Sequence, residues 1–120
     1  MPDFEGTVSF LDPRSGGRRT PALSNYRPTH RLHENYLSSG MHEYLDVEAV
    51  HPGETARVAV WLIAPEVYPG CLWVGREIDV CEGERKVGSV RVDRLFNEVL
   101  RGTPETYQRL WCPAQGLERD

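Results

Sequence analysis

Gly16-Gly17-Arg18-Arg19-Thr20-Pro21, followed by Asn25-Tyr26-Arg27-Pro28, is the stretch on which the reading of this chain turns. Adjacent glycines supply the positive φ angles of a tight turn, and each proline pushes the residue before it towards extended geometry. The stretch is therefore an ordered flap, neither helix nor central strand. On its N-terminal side, Phe4 to Leu11 alternates apolar and polar residues with period two, placing Phe4, Val8 and Phe10 on one face of a half-buried strand. Asp12-Pro13-Arg14-Ser15-Gly16 is turn chemistry and ends that strand. On the other side, Thr29 to Leu32 extends from Pro28 as a second strand.

Further along, Asn35 to Gly40 reads as irregular and Met41 to Val50 as a short strand with a turn-rich edge. His51-Pro52-Gly53-Glu54 is a strong turn, and Thr55 to Ile63 is the best strand signal in the chain. Val58, Val60 and Leu62 line one of its faces, while Ala59, Trp61 and Ile63 make the other face apolar too. A strand apolar on both sides is buried twice, or its outer face is covered by a partner or by the tail. Leu72 to Cys81 and Arg85 to Leu95 form a hairpin about Glu82-Gly83-Glu84, with Gly88 inviting a bulge. Thr103-Pro104-Glu105 opens a short helix, threonine as N-cap and proline in the first turn, with Tyr107, Leu110 and Trp111 on one side. Six short strands without a helical crossover predict an all-β fold, a small closed six-stranded antiparallel barrel with a short C-terminal helix. Residues 1–101 make the barrel and residues 102–120 a C-terminal extension. The tail's three apolar residues are expected to dock on the exposed apolar face.

Composition narrows the partners. A 120-residue chain is one domain by the usual prior, and no apolar run approaches the ~20 residues of a membrane span. Met1-Pro2-Asp3-Phe4-Glu5 shows neither the basic start nor the apolar stretch of a signal peptide, so the expected location is the cytoplasm. Cys71, Cys81 and Cys112 form an odd set without a CxxC, which fits reduced thiols. The net charge of −4 conceals an asymmetry. Between Asp12 and Glu34 five arginines face two acids, making that stretch +3 and the remainder −7. An acidic protein with one basic flap is a poor general nucleic-acid binder, because phosphate neutralisation dominates that affinity.

The order of these signals closely resembles the C-terminal (third) β-barrel domain of elongation factor Tu. The resemblance rests on Gly16-Gly17-Arg18-Arg19-Thr20-Pro21, Tyr26-Arg27-Pro28, the turn Pro52-Gly53-Glu54, the strand end Leu62-Ile63-Ala64-Pro65 and the hairpin Glu82-Gly83-Glu84-Arg85-Lys86-Val87-Gly88. Together these run from Phe4 to Leu95, about four-fifths of the chain. The resemblance implies a barrel without catalytic residues that holds one side of the T stem of aminoacyl-tRNA and packs on a GTPase domain. By that carry-over, Arg18, Arg19, Arg27, Glu82, Gly83 and Arg85 are the candidate tRNA- or partner-binding residues. Thr29 and Ala64 depart from larger, polar or basic positions. Glu84 replaces a glycine, bringing a carboxylate where a phosphate backbone would pass. A G-x-x-x-x-G-K-[ST] phosphate loop is absent, so GTP is not expected as a ligand.

Other chemistry has weak signals. His30 and His33 are three apart on a strand, hence on opposite faces, which disfavours a metal pair. His42 and His51 have no cysteine or carboxylate at ligand-like spacing, and Asp46 with Glu48 reads better as a solvated strand edge than as a catalytic dyad. Trp61 and Trp73 are candidates for an exposed apolar patch, with packing in the barrel or beneath the tail as the competing explanation. The expected function is thus a non-enzymatic binding module, without cofactor or metal, linked to the translation machinery by protein contacts or weak tRNA contacts. The alternatives are an immunity or regulatory look-alike of elongation factor Tu, and a small enzyme using a Cys or His between barrel and tail.

Overall fold

The structure, a computed structural model, describes residues 1–113, and of Arg109 and Leu110 the backbone alone. Its strands are β1 (Phe4–Phe10), β2 (Ala22–Leu23), β3 (Thr29–His33), β4 (Tyr36–Tyr44), β5 (Ala49–Val50), β6 (Thr55–Leu62), β7 (Glu77–Glu82) and β8 (Arg85–Leu95), and α1 spans Pro104–Leu110. Six of them close a barrel in the order β1-β6-β4-β3-β7-β8, every pair antiparallel. Closure leaves no long unpaired edge, which is how a small all-β domain avoids pairing with its neighbours.

Period-two alternation fills the interior. Phe4, Val8 and Phe10 point inward from β1, and Val58, Val60, Leu62, Ile78 and Val80 are all buried, as their alternation predicts. A β-bulge re-phases β8: Val80 faces Gly88 and Cys81 faces Lys86, which leaves Val87 as the additional residue, fully buried. Gly88 is required there, since a Cβ would stand 2.6 Å from the Ser9 carbonyl oxygen of the neighbouring strand.

Three elements differ from the sequence expectation. β4 begins at Tyr36 rather than Met41 and ends at Tyr44, because its partners β3 and β6 run alongside it from both directions. Asp46 and Glu48 consequently fall in a bend, not on a strand face, and Asp46 pairs with Arg57 at 3.4 Å. Regular pairing of β7 begins only at Glu77, because a turn at Gly75, φ 97°, interrupts Leu72 to Arg76. Finally, the flap is tethered by two short strands that alternation cannot reveal, β2 on β5 through Ala22↔Val50 and Leu23↔Ala49.

The C-terminal helix forms as its signals require, with a capping box between Thr103 and Thr106. It docks elsewhere than expected. The β3–β7 ladder stops after His30↔Val80, and the Tyr107 hydroxyl donates to the Leu32 carbonyl at 2.8 Å just beyond it. Arg76 lies over the Tyr107 ring and donates to its hydroxyl at 3.1 Å. Trp111 stacks on His33 at 4.8 Å and on Tyr68 at 6.2 Å. Among the described residues the tail therefore seals the weak seam beside β3, and none of its described side chains covers the outer face of β6. The expected contact of Leu110 lies outside the described side chains.

Candidate binding surfaces

The basic flap folds back on the β7–β8 hairpin. Arg18 forms an ion pair with Glu82, 64 residues away. Three further bonds run to the Thr20 carbonyl, the Thr20 hydroxyl and the Pro21 carbonyl, each at 3.2 Å. The guanidinium sits 4.4 Å above the Tyr26 ring, and the Tyr26 hydroxyl donates to the same Glu82 oxygen at 2.7 Å. Arg85 completes the cluster, bonding Glu82 at 3.2 Å and reaching the Gly16 carbonyl. Partial burial works against the Glu82 charge, but hydrogen bonds from Tyr26 and Arg18 outweigh it and hold the carboxyl below its usual range.

This geometry separates the candidate residues. Arg18 and Arg19 do not act as a pair: Arg18 is only 18% exposed and turned to Glu82 and the flap's own acceptors, while Arg19 projects into solvent. Arg18, Glu82 and Arg85 together lock the flap to the barrel. Gly83, φ 61°, makes the tight hairpin, and its carbonyl accepts from the Thr29 hydroxyl at 2.8 Å. Glu84 stands exposed at the tip. Because Glu82 binds three partners through charge-assisted bonds, Glu82→Ala is expected to cost about 2 kcal/mol, reduced from the buried-pair value by solvent access. A urea titration reads this directly, and an unchanged midpoint would show that the lock contributes nothing to stability.

Trp61 and Trp73 belong to different surfaces: Trp61 stands on β6 beside β4, whereas Trp73 lies ahead of β7 against Arg76 and the C-terminal helix. Trp73 is half-buried, with Arg76 over its ring at 5.1 Å and Tyr107 edge-on at 5.6 Å. Trp61 is half-buried on the outer face of β6, opposite Met41 of β4. With Arg27, Ser39, Gly40, Leu62 and Ile63 these two line an open, mostly apolar groove of about 460 Å³. Ile63 is 76% exposed. Arg27 supplies the groove's one charge.

Titratable groups converge in one place that sequence reasoning missed. Inside the barrel, His30 and His42 are fully buried, their Nε2 atoms 2.8 Å apart. His30 Nδ1 lies 3.1 Å from the Ser38 carbonyl, which can only accept, so that nitrogen carries a proton. With both rings neutral, His42 Nε2–H then donates to His30 Nε2, and the Tyr44 hydroxyl, 3.0 Å away, donates to His42 Nδ1. Burial pushes His30 down to about 4, opposed weakly by the Ser38 carbonyl. His42 is pushed down by burial and then by its neighbour His30. The chain of bonds satisfies every ring nitrogen with no charge, which makes it a packing device. Its signal in the sequence was slight: His42 and Tyr44 share a face two residues apart, but only the strand order brings His30 across.

His33, the other member of the sequence pair, faces outward beneath the tail as its offset of three requires. Beside the tail, burial pushes the Cys71 thiol up to about 12, so it is protonated near neutrality. Among the described residues no group of three or more His, Cys, Asp or Glu side chains is placed to hold a metal ion, and no helix is long and apolar enough to cross a membrane. No protein-family model matches the chain.

Proposed function

We propose that the chain is a non-enzymatic, cytoplasmic binding module of the kind formed by the C-terminal barrel of elongation factor Tu, and that it engages the translation machinery through protein contacts. The observation that carries this reading is the engagement of Arg18. In the elongation factor the Gly-Gly-Arg flap and the Glu-Gly hairpin together meet the T stem of tRNA. Here the same two segments meet each other, and the arginine is neutralised by Glu82, Tyr26 and backbone carbonyls. Arg19 is exposed, but so is Glu84 at the hairpin tip, whose carboxylate would repel a phosphate backbone. Protein contact is the mode of binding such a surface still favours.

Two measurements test it. Titration with charged and uncharged tRNA at physiological salt is expected to give dissociation constants weaker than about 1 μM. Tight, salt-sensitive binding abolished by Arg19→Ala would make this an RNA-binding barrel instead. Affinity purification of tagged protein from its source cell is expected to enrich ribosomal or translation-factor proteins over an unrelated tagged protein of similar net charge. Equal recovery from both, or no such enrichment, would remove the translational link.

A further inference from the structure

We infer that the groove between β4 and β6 is a docking site for an acidic, amphipathic protein segment: a large apolar side chain set between Trp61, Met41 and Ile63, with a neighbouring carboxylate on Arg27. This deepens the protein-binding reading given above and rests on it. Gly40 lines the groove through its backbone. Its missing side chain would point the other way, into the barrel, where a Cβ would lie 2.9 Å from both the Trp61 carbonyl oxygen and the buried His30 ring. Met41 and Trp61 are paired across the two strands and form one wall, and Ile63 extends past the end of β6 as the other. The volume suits a large apolar anchor.

Charge selects the occupant. Arg18, Arg31, Arg57, Arg85, Arg91 and Arg101 each have a carboxylate within ion-pair distance. Arg14, Arg19, Arg27, Arg76 and Arg94 have no such partner among the described residues, and of these Arg27 alone lines the groove, where it is exposed. A single cation against an apolar wall fits one carboxylate beside an anchor and does not fit a polyanion, which gains affinity by neutralising many phosphates. A second copy fits poorly as well. A two-fold interface would set Arg27 and the same apolar face against themselves, with no carboxylate in the lining to answer the arginine.

The probe is a displayed library of random twelve-residue peptides selected on the intact, immobilised protein, followed by titration of the leading synthetic peptide. Enrichment of Leu, Phe or Trp next to Asp or Glu is expected. Arg27→Glu and Ile63→Glu should each weaken the chosen peptide at least tenfold, and exchange of its acids for lysine should do the same. Both positions are exposed, and an unchanged melting temperature in each variant verifies the fold. No enrichment, enrichment without acids, or binding indifferent to both variants would overturn the assignment. So would concentration-dependent self-association abolished by Ile63→Glu, or RNA binding lost with Arg27→Glu. The two readings fail separately. Translation proteins retained by both variants would sink the groove alone, whereas peptide binding without any translational partner would sink the translational link alone.

Discussion

Between pH 7 and pH 5 the protein is expected to lose about 4 kcal/mol of stability, roughly 15 °C in melting temperature for a chain of this size. The cause is the buried His30–His42 pair. Both histidines bind protons less readily folded than unfolded, His30 being pushed down to about 4. Below the ordinary value near 6.5 the unfolded chain takes up protons that the folded barrel refuses. The stability that the neutral pair contributes is therefore complete above about 6.5 and is lost as pH falls towards 4, at about 1.4 kcal/mol per unit for each ring. Depressed carboxyls act later. Glu82 and Asp93 are held below their usual range, so their contribution is lost only in more acid solution. Thermal melts at half-unit pH intervals check this, with the triple variant His30→Leu/His42→Phe/Tyr44→Phe as control. It replaces all three hydrogen-bonding side chains together, so none of them is left without its side-chain partner. A wild-type slope that persists in the triple variant would assign acid sensitivity elsewhere.

The second large effect separates two glycines that look identical in sequence. Gly17→Ala is expected to destabilise the protein by about 3 kcal/mol, at the upper end of overpacking costs. Its Cβ would stand 1.9 Å from the Leu11 carbonyl oxygen and 2.8 Å from that of Asp12, both main-chain atoms that cannot step aside. Gly16→Ala is expected to cost only about 1 kcal/mol. Gly16 adopts φ 95°, so a side chain is strained there, but nothing lies within 4 Å of the added carbon. Equilibrium unfolding of both variants gives the comparison. Equal costs would show that turn conformation matters at the flap and close backbone approach does not.

Much of the barrel was legible without coordinates, because strand faces are a local property. The alternation in Phe4–Phe10 and Thr55–Leu62 states which side chains point inward whatever the partner strand. Capping chemistry at Thr103 is equally local. The limits of β4 and the entry into β7 were misjudged for the complementary reason. Tyr36 to Gly40 has no clean alternation, yet it pairs with β3 and β6, and those partners are chosen by the closed order of strands.

The candidate sites divide along the same line. Sequence alone determined that β6 is apolar on both faces and that the flap carries arginines. Tertiary structure decided what those facts mean. Register set Arg18 on Glu82 across 64 residues, turning a candidate phosphate contact into a structural lock. It set His30 against His42, and it sent the tail to the β3 seam, so that Trp73 is covered while Trp61 and Ile63 stay open beside Arg27. Each outcome depends on which distant residue closure brings alongside, and side-chain periodicity within one strand carries no record of its neighbour.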